Sequence, residues 1–190
     1  MREMILASAS PRRKELLEQI GIPFRVQKSG AEERITQTEP SRIVMELSAQ
    51  KADDVASSVR DGLVLGADTI VCLDGAVMGK PRDRADAAAM LRALQGRTHS
   101  VFTGVTLVEK RQGAETRRIC FAEETKVRVH PMEAEEIERY LDTGDAFDKA
   151  GSYGIQGPFA AFVDGIEGDY NNVVGLPVAR LYQELKKLRG

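Results

Sequence analysis

Leu63-Val64-Leu65-Gly66-Ala67-Asp68-Thr69-Ile70-Val71-Cys72-Leu73 is a run in which only Asp68 and Thr69 bear polar groups. An apolar run of this length, bounded by turn residues, reads as a strand buried on both faces. Asp74-Gly75 follows as a hairpin turn pair, and Ala76-Val77-Met78 returns from it. Upstream, Met4-Ile5-Leu6-Ala7 reads as a second buried strand. It leads through Ser8-Ala9-Ser10 into a helix with Ser10 at N-cap, Pro11 at N1 and Gly21 as its stop. Phe24 to Gln27 alternates like a strand. A helix is predicted from Pro40 to Val59, with Ile43, Val44, Leu47 and Val55 on one face.

Downstream, a helix fits Arg84 to Gln95, capped by Asp83 and stopped by Gly96. Ser100–Val108 and Arg117–His130 read as strands around a polar Arg111–Glu115 loop. A further helix fits Met132–Asp142, and the last runs from Pro177 to Leu188 with Leu181, Tyr182, Leu185 and Leu188 turned inward. Strands and helices interleave throughout, which predicts an α/β fold with a mixed sheet and flanking helices. No repeat or linker divides the 190 residues, so one domain is expected over 1–190. Gly144 to Gly175 carries seven of the 17 glycines. An even spread would place about three there, so this segment needs unusual backbone or close approach.

Lys plus Arg number 27 and Asp plus Glu 29, a net charge of −2. That balance excludes a coat for nucleic-acid polymers and a polybasic membrane binder. Two cysteines and two histidines build neither a disulfide framework nor a zinc cage. No apolar stretch reaches the length of a membrane span and the N-terminus is no signal peptide, so a cytoplasmic protein is expected.

Several residues could carry chemistry. Arg12 and Arg13 fall in the first turn of a helix, where positive side chains oppose the dipole. They answer either to an anion bound there or to solvent. Asp68 is expensive to bury in its run unless it meets a metal, a cation or hydrogen-bond donors; the alternative is a strand-end Asp at a bend after Gly66. On a helical wheel Lys51 lies about 80° from Ile43, inside the apolar face, so it either snorkels to the rim or meets an anion. Gly79-Lys80-Pro81 lacks the spacing of a phosphate-binding Walker loop. Gln156, between Gly154 and Gly157, suits either a base edge or a polar turn. Glu32 and Glu33 stand in a polar loop. Together these are cations for phosphates, carboxylates for a hard metal and an amide for a base.

Six motifs in order resemble the Maf family of nucleoside triphosphate pyrophosphatases. They are Ser8-Ala9-Ser10-Pro11-Arg12-Arg13, Gly66-Ala67-Asp68-Thr69, Gly79-Lys80-Pro81, Gly96-Arg97-Thr98-His99, Asp148-Lys149-Ala150-Gly151 and Gly154-Ile155-Gln156-Gly157. The resemblance covers nearly the whole chain. It implies two lobes around a deep cleft, similar to the inosine triphosphate pyrophosphatase fold. It implies cleavage of the α–β bond of dTTP or UTP with a divalent cation, Mg²⁺ or Mn²⁺. Asp68 matches the family's proton acceptor. Ser8, Arg13, Glu33, Lys51 and Lys80 match its phosphate, metal and catalytic surroundings, with Asp68 and Glu33 on the metal. Arg12, Thr69 and Gln156 match the pyrimidine-type specificity positions. Lys149 adds a cation for the phosphates. Ala31-Glu32-Glu33 departs from the Asp-Glu pair of many members. A homodimer is likewise implied by the resemblance. Two other readings remain open: a nucleotide-binding regulator of cell division, and a purine enzyme acting on ITP or 7-methyl-GTP.

Overall fold

A computed structural model describes residues 3–189. Seven strands are hydrogen-bonded in the order β2-β1-β3-β5-β6-β7, with β4 (Ala76–Met78) paired to β3. The sheet is mixed, as the interleaved pattern predicts. β1 (Met4–Leu6) runs parallel to β2 (Phe24–Val26) and to β3 (Gly62–Leu73), whereas β3–β4 and β6–β7 are antiparallel. The helices are α1 (Pro11–Gln19), α2 (Pro40–Ser57), α3 (Arg84–Leu94), α4 (Ala134–Asp142), α5 (Tyr170–Val174) and α6 (Val178–Arg189). Among the described residues no helix is long and apolar enough to cross a membrane.

Contacts divide the chain into two compact units. The first comprises residues 1–68, 103–123 and 175–190, the second 69–102 and 124–174. In the first unit, Ile5 and Ala7 of the β1 segment, Val64 of β3 and Val108 of β5 (Thr98–Arg111) meet Ala52, Val55 and Ala56 of α2. Burying this apolar surface drives the packing. In the second unit, Phe159 is fully buried among Tyr140, Tyr153 and Phe162, with ring centroids 5.2, 4.6 and 5.7 Å away. Offset aromatic pairs of this kind add to the aliphatic core formed by Leu91, Leu94, Ile137 and Leu141.

Two glycines set how closely α2 approaches the sheet. A Cβ on Gly66 would stand 2.3 Å from the Ser48 carbonyl oxygen, and one on Gly104 would stand 2.1 Å from that of Val44. Only a residue without a side chain fits either place.

Three expectations change. The Arg111–Glu115 loop contracts to Gln112-Gly113, both at positive φ, so β5 and β6 (Ala114–Val129) extend to a two-residue turn. A turn with two left-handed residues matches the twist of its strands, and an exposed hairpin tip is polar whether it is strand or loop. Tyr182 faces outward at 40% exposure, under Lys186, because the buried stripe of α6 is Leu181 and Leu185. Helix α4 begins at Ala134 rather than Met132, where Glu133 and Glu136 form a reciprocal cap. The glycine-rich stretch contains a strand, β7 (Val163–Glu167), and the short α5. Its glycines supply positive φ at Gly144, Gly151, Gly168 and Gly175.

Candidate functional site

The parallel trio β2-β1-β3 aims its C-terminal ends one way, the edge at which open α/β sheets bind ligands. Ser8 stands just past the end of β1, and Asp68 lies three residues beyond Leu65, the β3 partner of Leu6. Helix α1 starts three residues after Ser8. Ser10 holds the N-cap position, but its side chain makes no capping bond, and the first turn contains no acidic residue. Instead Ser8 Oγ accepts from the Ser10 N–H and from Arg13, both at 3.2 Å. Arg13 Nε donates to the Gly175 carbonyl at 2.8 Å. Burial draws the Arg13 pKa below its ordinary value. The negative charge of Asp68 opposes that shift, the positive charge of Arg12 adds to it, and Glu33 opposes it again. These four charges therefore share one neighbourhood, and the turn they surround is the positive end of a helix.

Strand alternation points residues 66 and 68 to the same face of β3. Gly66 lies against Ser48 and Ala52 of α2. Asp68, on that face, forms an ion pair with Lys51 of α2. Lys51 Nζ also reaches Glu33 Oε1 at 2.9 Å. The side chains of Lys51 and Asp68 are only 18% and 13% exposed, so water screens this contact poorly. Lys51 thus meets two carboxylates of this chain, and Asp68 meets a cation within a continuous strand.

Glu33 belongs to residues 29–37, which contain no helix or strand and are mostly exposed. Side chains of α2 hold them. Asp54 Oδ2 accepts from Ser29 Oγ and from the Gly30 N–H, both at 2.8 Å. Gln50 accepts from the Arg34 N–H at 2.9 Å and donates to the Arg34 carbonyl at 2.6 Å. Glu46 accepts from the Thr36 hydroxyl at 2.6 Å and from the Thr36 N–H at 2.9 Å. The hydroxyl bond, then the amide bond, keeps the Glu46 carboxyl below its usual pKa. Sequence reasoning missed these three residues. Their four-residue spacing marks one polar helix face, which by itself does not set them apart from a solvated one.

The second unit places the remaining residues. Lys80 is exposed just past β4. The preceding Gly79 carbonyl accepts from the Gly151 N–H at 3.1 Å, which ties this turn to the glycine-rich segment. Gly151 sits at φ 69 with no room for a Cβ beside Val71. Lys149 Nζ donates to the Asp145 carbonyl at 2.7 Å, to Asp145 Oδ1 at 2.9 Å and to Asp148 Oδ1 at 2.7 Å. An ammonium has three donors, and these three acceptors take them up. Gln156 is exposed on a turn closed by the Gly157 N–H to the Gly154 carbonyl at 3.2 Å. Tyr140 OH donates to Asp145 at 2.9 Å and accepts from the Gly154 N–H at 3.3 Å. His99 is buried with Nε2 2.7 Å from Tyr153 OH. Burial pushes its pKa down to about 4, so it stands neutral near pH 7. Thr69 is half-buried on β3.

A cavity of about 730 Å³ in the first unit lies elsewhere. It is lined by Glu3, Asp61, Lys110 and Arg111 among others, and it includes none of the predicted site residues.

The carboxylates of Asp68 and Glu33 converge on one cationic point, and both offer the hard oxygen donors that Mg²⁺ or Mn²⁺ prefers. Among the described residues no group of three or more His, Cys, Asp or Glu forms a metal cage. Two carboxylates are what Mg²⁺ sites commonly draw from protein when substrate phosphates and water supply the rest. The residues present fit such an ion.

Comparison with known proteins adds the following. The family model described as Maf-like protein matches residues 3–188. A dTTP/UTP pyrophosphatase of Agathobacter rectalis is 56% identical, over 99% of this chain and 98% of its own. A dTTP/UTP pyrophosphatase of Bacillus cytotoxicus is 50% identical, over 98% and 96%. Among solved structures, the Ham1 protein of Staphylococcus aureus aligns at 14% identity with a TM-score of 0.48, covering 67% of this chain and 72% of that one.

Proposed function

The chain belongs to the Maf family, and on that premise we propose that it hydrolyses the α–β phosphoanhydride of dTTP and UTP, yielding the nucleoside monophosphate and pyrophosphate. The observation that carries the reading is Lys51, held between Asp68 and Glu33 near the positive N-terminus of α1. A buried-leaning cation between two carboxylates, beside two arginines, is an arrangement made for a polyanion and its counter-ion.

One water is consumed, and its oxygen ends on phosphorus as the bridging bond breaks. Asp68 accepts the proton of that water as it attacks, the role of a general base. Lys51, its ionic partner on α2, orients the carboxylate. Negative charge gathers on the phosphoryl oxygens, and Arg13, Lys51 and Lys80 offset it. Ser8 and Arg12 hold the phosphates at the start of α1, where exposed N–H groups favour anions. Asp68 and Glu33 would hold a divalent cation, which when bound would supply further positive charge and acidify water. Thr69 and Gln156 read the base. A base edge that fails to match would leave their polar groups unpaired, which is how such sites reject analogues. Lys149 holds Asp145, which accepts from Tyr140 OH, and that hydroxyl takes the Gly154 N–H of the turn bearing Gln156.

The test is a panel of nucleoside triphosphates, each assayed for pyrophosphate release with Mg²⁺ or Mn²⁺. Release from dTTP and UTP is expected. Binding without release would favour a regulatory nucleotide sensor, and preference for ITP or 7-methyl-GTP would overturn the pyrimidine assignment.

A further inference from the structure

Residues 29–37 carry Glu33, yet almost nothing apolar anchors them. Ile35 is the one large apolar side chain among them, and it is 57% exposed. A segment without regular structure or buried side chains normally opens freely, because few contacts offset its conformational entropy. Here the segment is bonded along its length to a single helix. Glu46, Gln50 and Asp54 recur every four residues, so each is turned about 40° from the last and the three form one stripe along α2. Asp54 holds the start of the segment at Ser29 and Gly30, Gln50 holds the middle at Arg34, and Glu46 holds the end at Thr36. Gln50 is the central contact. Its amide grips both the N–H and the carbonyl of Arg34, the residue next to Glu33. Lys51, one residue along from Gln50, takes Glu33 itself.

We propose that Glu46, Gln50 and Asp54 are positioning residues: a polar stripe that straps the 29–37 segment to α2 and so sets the Glu33 carboxylate beside Asp68 for divalent-cation binding. The proposal rests on the reading of Glu33 and Asp68 as the metal-holding pair. The three residues spend their polar groups on Ser29, Gly30, Arg34 and Thr36. They fix the backbone from which one metal-holding carboxylate projects, and residues that orient ligands commonly govern affinity nearly as strongly as the ligands do.

The variants are Gln50→Ala and Gln50→Glu, the second keeping an acceptor for the Arg34 N–H while losing the donor to its carbonyl. Both substitutes are good helix formers at a half-buried position that tolerates either, so the fold is retained. The first measurement is Mn²⁺ affinity in the absence of turnover, read by electron paramagnetic resonance. Gln50→Ala should weaken it by about 10-fold or more, and Gln50→Glu by less. The second is amide hydrogen exchange over 29–37, which should quicken in Gln50→Ala while α2 and β3 are unchanged. Glu33→Gln is the control. If Glu33→Gln weakens Mn²⁺ binding and Gln50→Ala does not, the strap is overturned and the metal assignment stands. If Glu33→Gln leaves Mn²⁺ binding intact, the metal-holding role of Glu33 falls, and with it the function given to the strap. Unchanged exchange in Gln50→Ala overturns the strap as a structural device.

Discussion

Lys51 of α2 and Asp68 of β3 form an ion pair across the helix–sheet interface, and the two glycines that bring α2 down onto the sheet make it possible. A helix held further out would leave the ammonium short of the carboxylate. The pairing of Asp68 and the packing of α2 are therefore one problem.

Asp68→Asn keeps the shape and the hydrogen-bond acceptor but removes the proposed base. Turnover should fall by about 10²–10⁴-fold, the usual loss for a general base, with the circular dichroism spectrum unaltered. Steady-state pyrophosphate release measures this, and activity close to that of the parent would remove Asp68 from the role.

Lys51→Met removes the cation from between Asp68 and Glu33 and leaves a poorly exposed carboxylate without its ionic partner. An unsatisfied charged acceptor of this kind costs about 1–3 kcal/mol. Urea unfolding should show a loss in that range, and KM for the triphosphate should rise on the proposal that Lys51 offsets phosphate charge. Unchanged stability together with unchanged KM would mean that Lys51 serves neither purpose.

Gly104→Ala would drive a methyl group into the Val44 backbone of α2, and Gly66→Ala would do the same against Ser48. Backbone cannot give way as a flexible side chain can. Each should destabilise by about 1–3 kcal/mol or more, the range for overpacking. Gly66→Ala should in addition lower turnover in the folded fraction, because it displaces Lys51 relative to Asp68. Full stability in either variant would contradict the close approach.

His99 couples folding to pH. Burial lowers its pKa to about 4 in the folded protein, against 6.5 for the ordinary group. Below pH 6.5 the unfolded chain takes up a proton that the folded chain refuses until near pH 4. Stability attributable to His99 is therefore whole above pH 6.5 and declines by about 1.4 kcal/mol per pH unit as pH falls towards 4. His99→Gln should flatten that part of the profile relative to the parent in urea unfolding at pH 7, 6 and 5. Parallel profiles would show that His99 is not held neutral.

The α/β class, the helix starts at Pro11, Pro40 and Arg84, and the Asp74-Gly75 hairpin could all be read from the chain, because each depends on neighbours in sequence: an apolar period, a cap, a turn pair. Asp68, Lys51 and Glu33 could be singled out for a related reason. A charge in an apolar run and a lysine on an apolar face are local anomalies. Their partners could not be named, since residues 33, 51 and 68 meet only when a loop, a helix and a strand pack together. β7 escaped notice because its five residues, Val163–Glu167, neither alternate cleanly nor run apolar, and β6 supplies the pairing that makes them a strand.

The opposite limit is seen in Glu46, Gln50 and Asp54. Read alone, they are an ordinary solvated helix face, and nothing within α2 distinguishes them. Their role depends on which backbone lies opposite, and that is decided by how far Gly66 and Gly104 let α2 descend and by where the chain returns after β2. Residue types and local periodicity settled which elements form and which side chains are costly to bury. Distance through space settled which charge answers which, because an ion pair or a hydrogen bond depends on a separation of a few ångströms that sequence spacing does not encode.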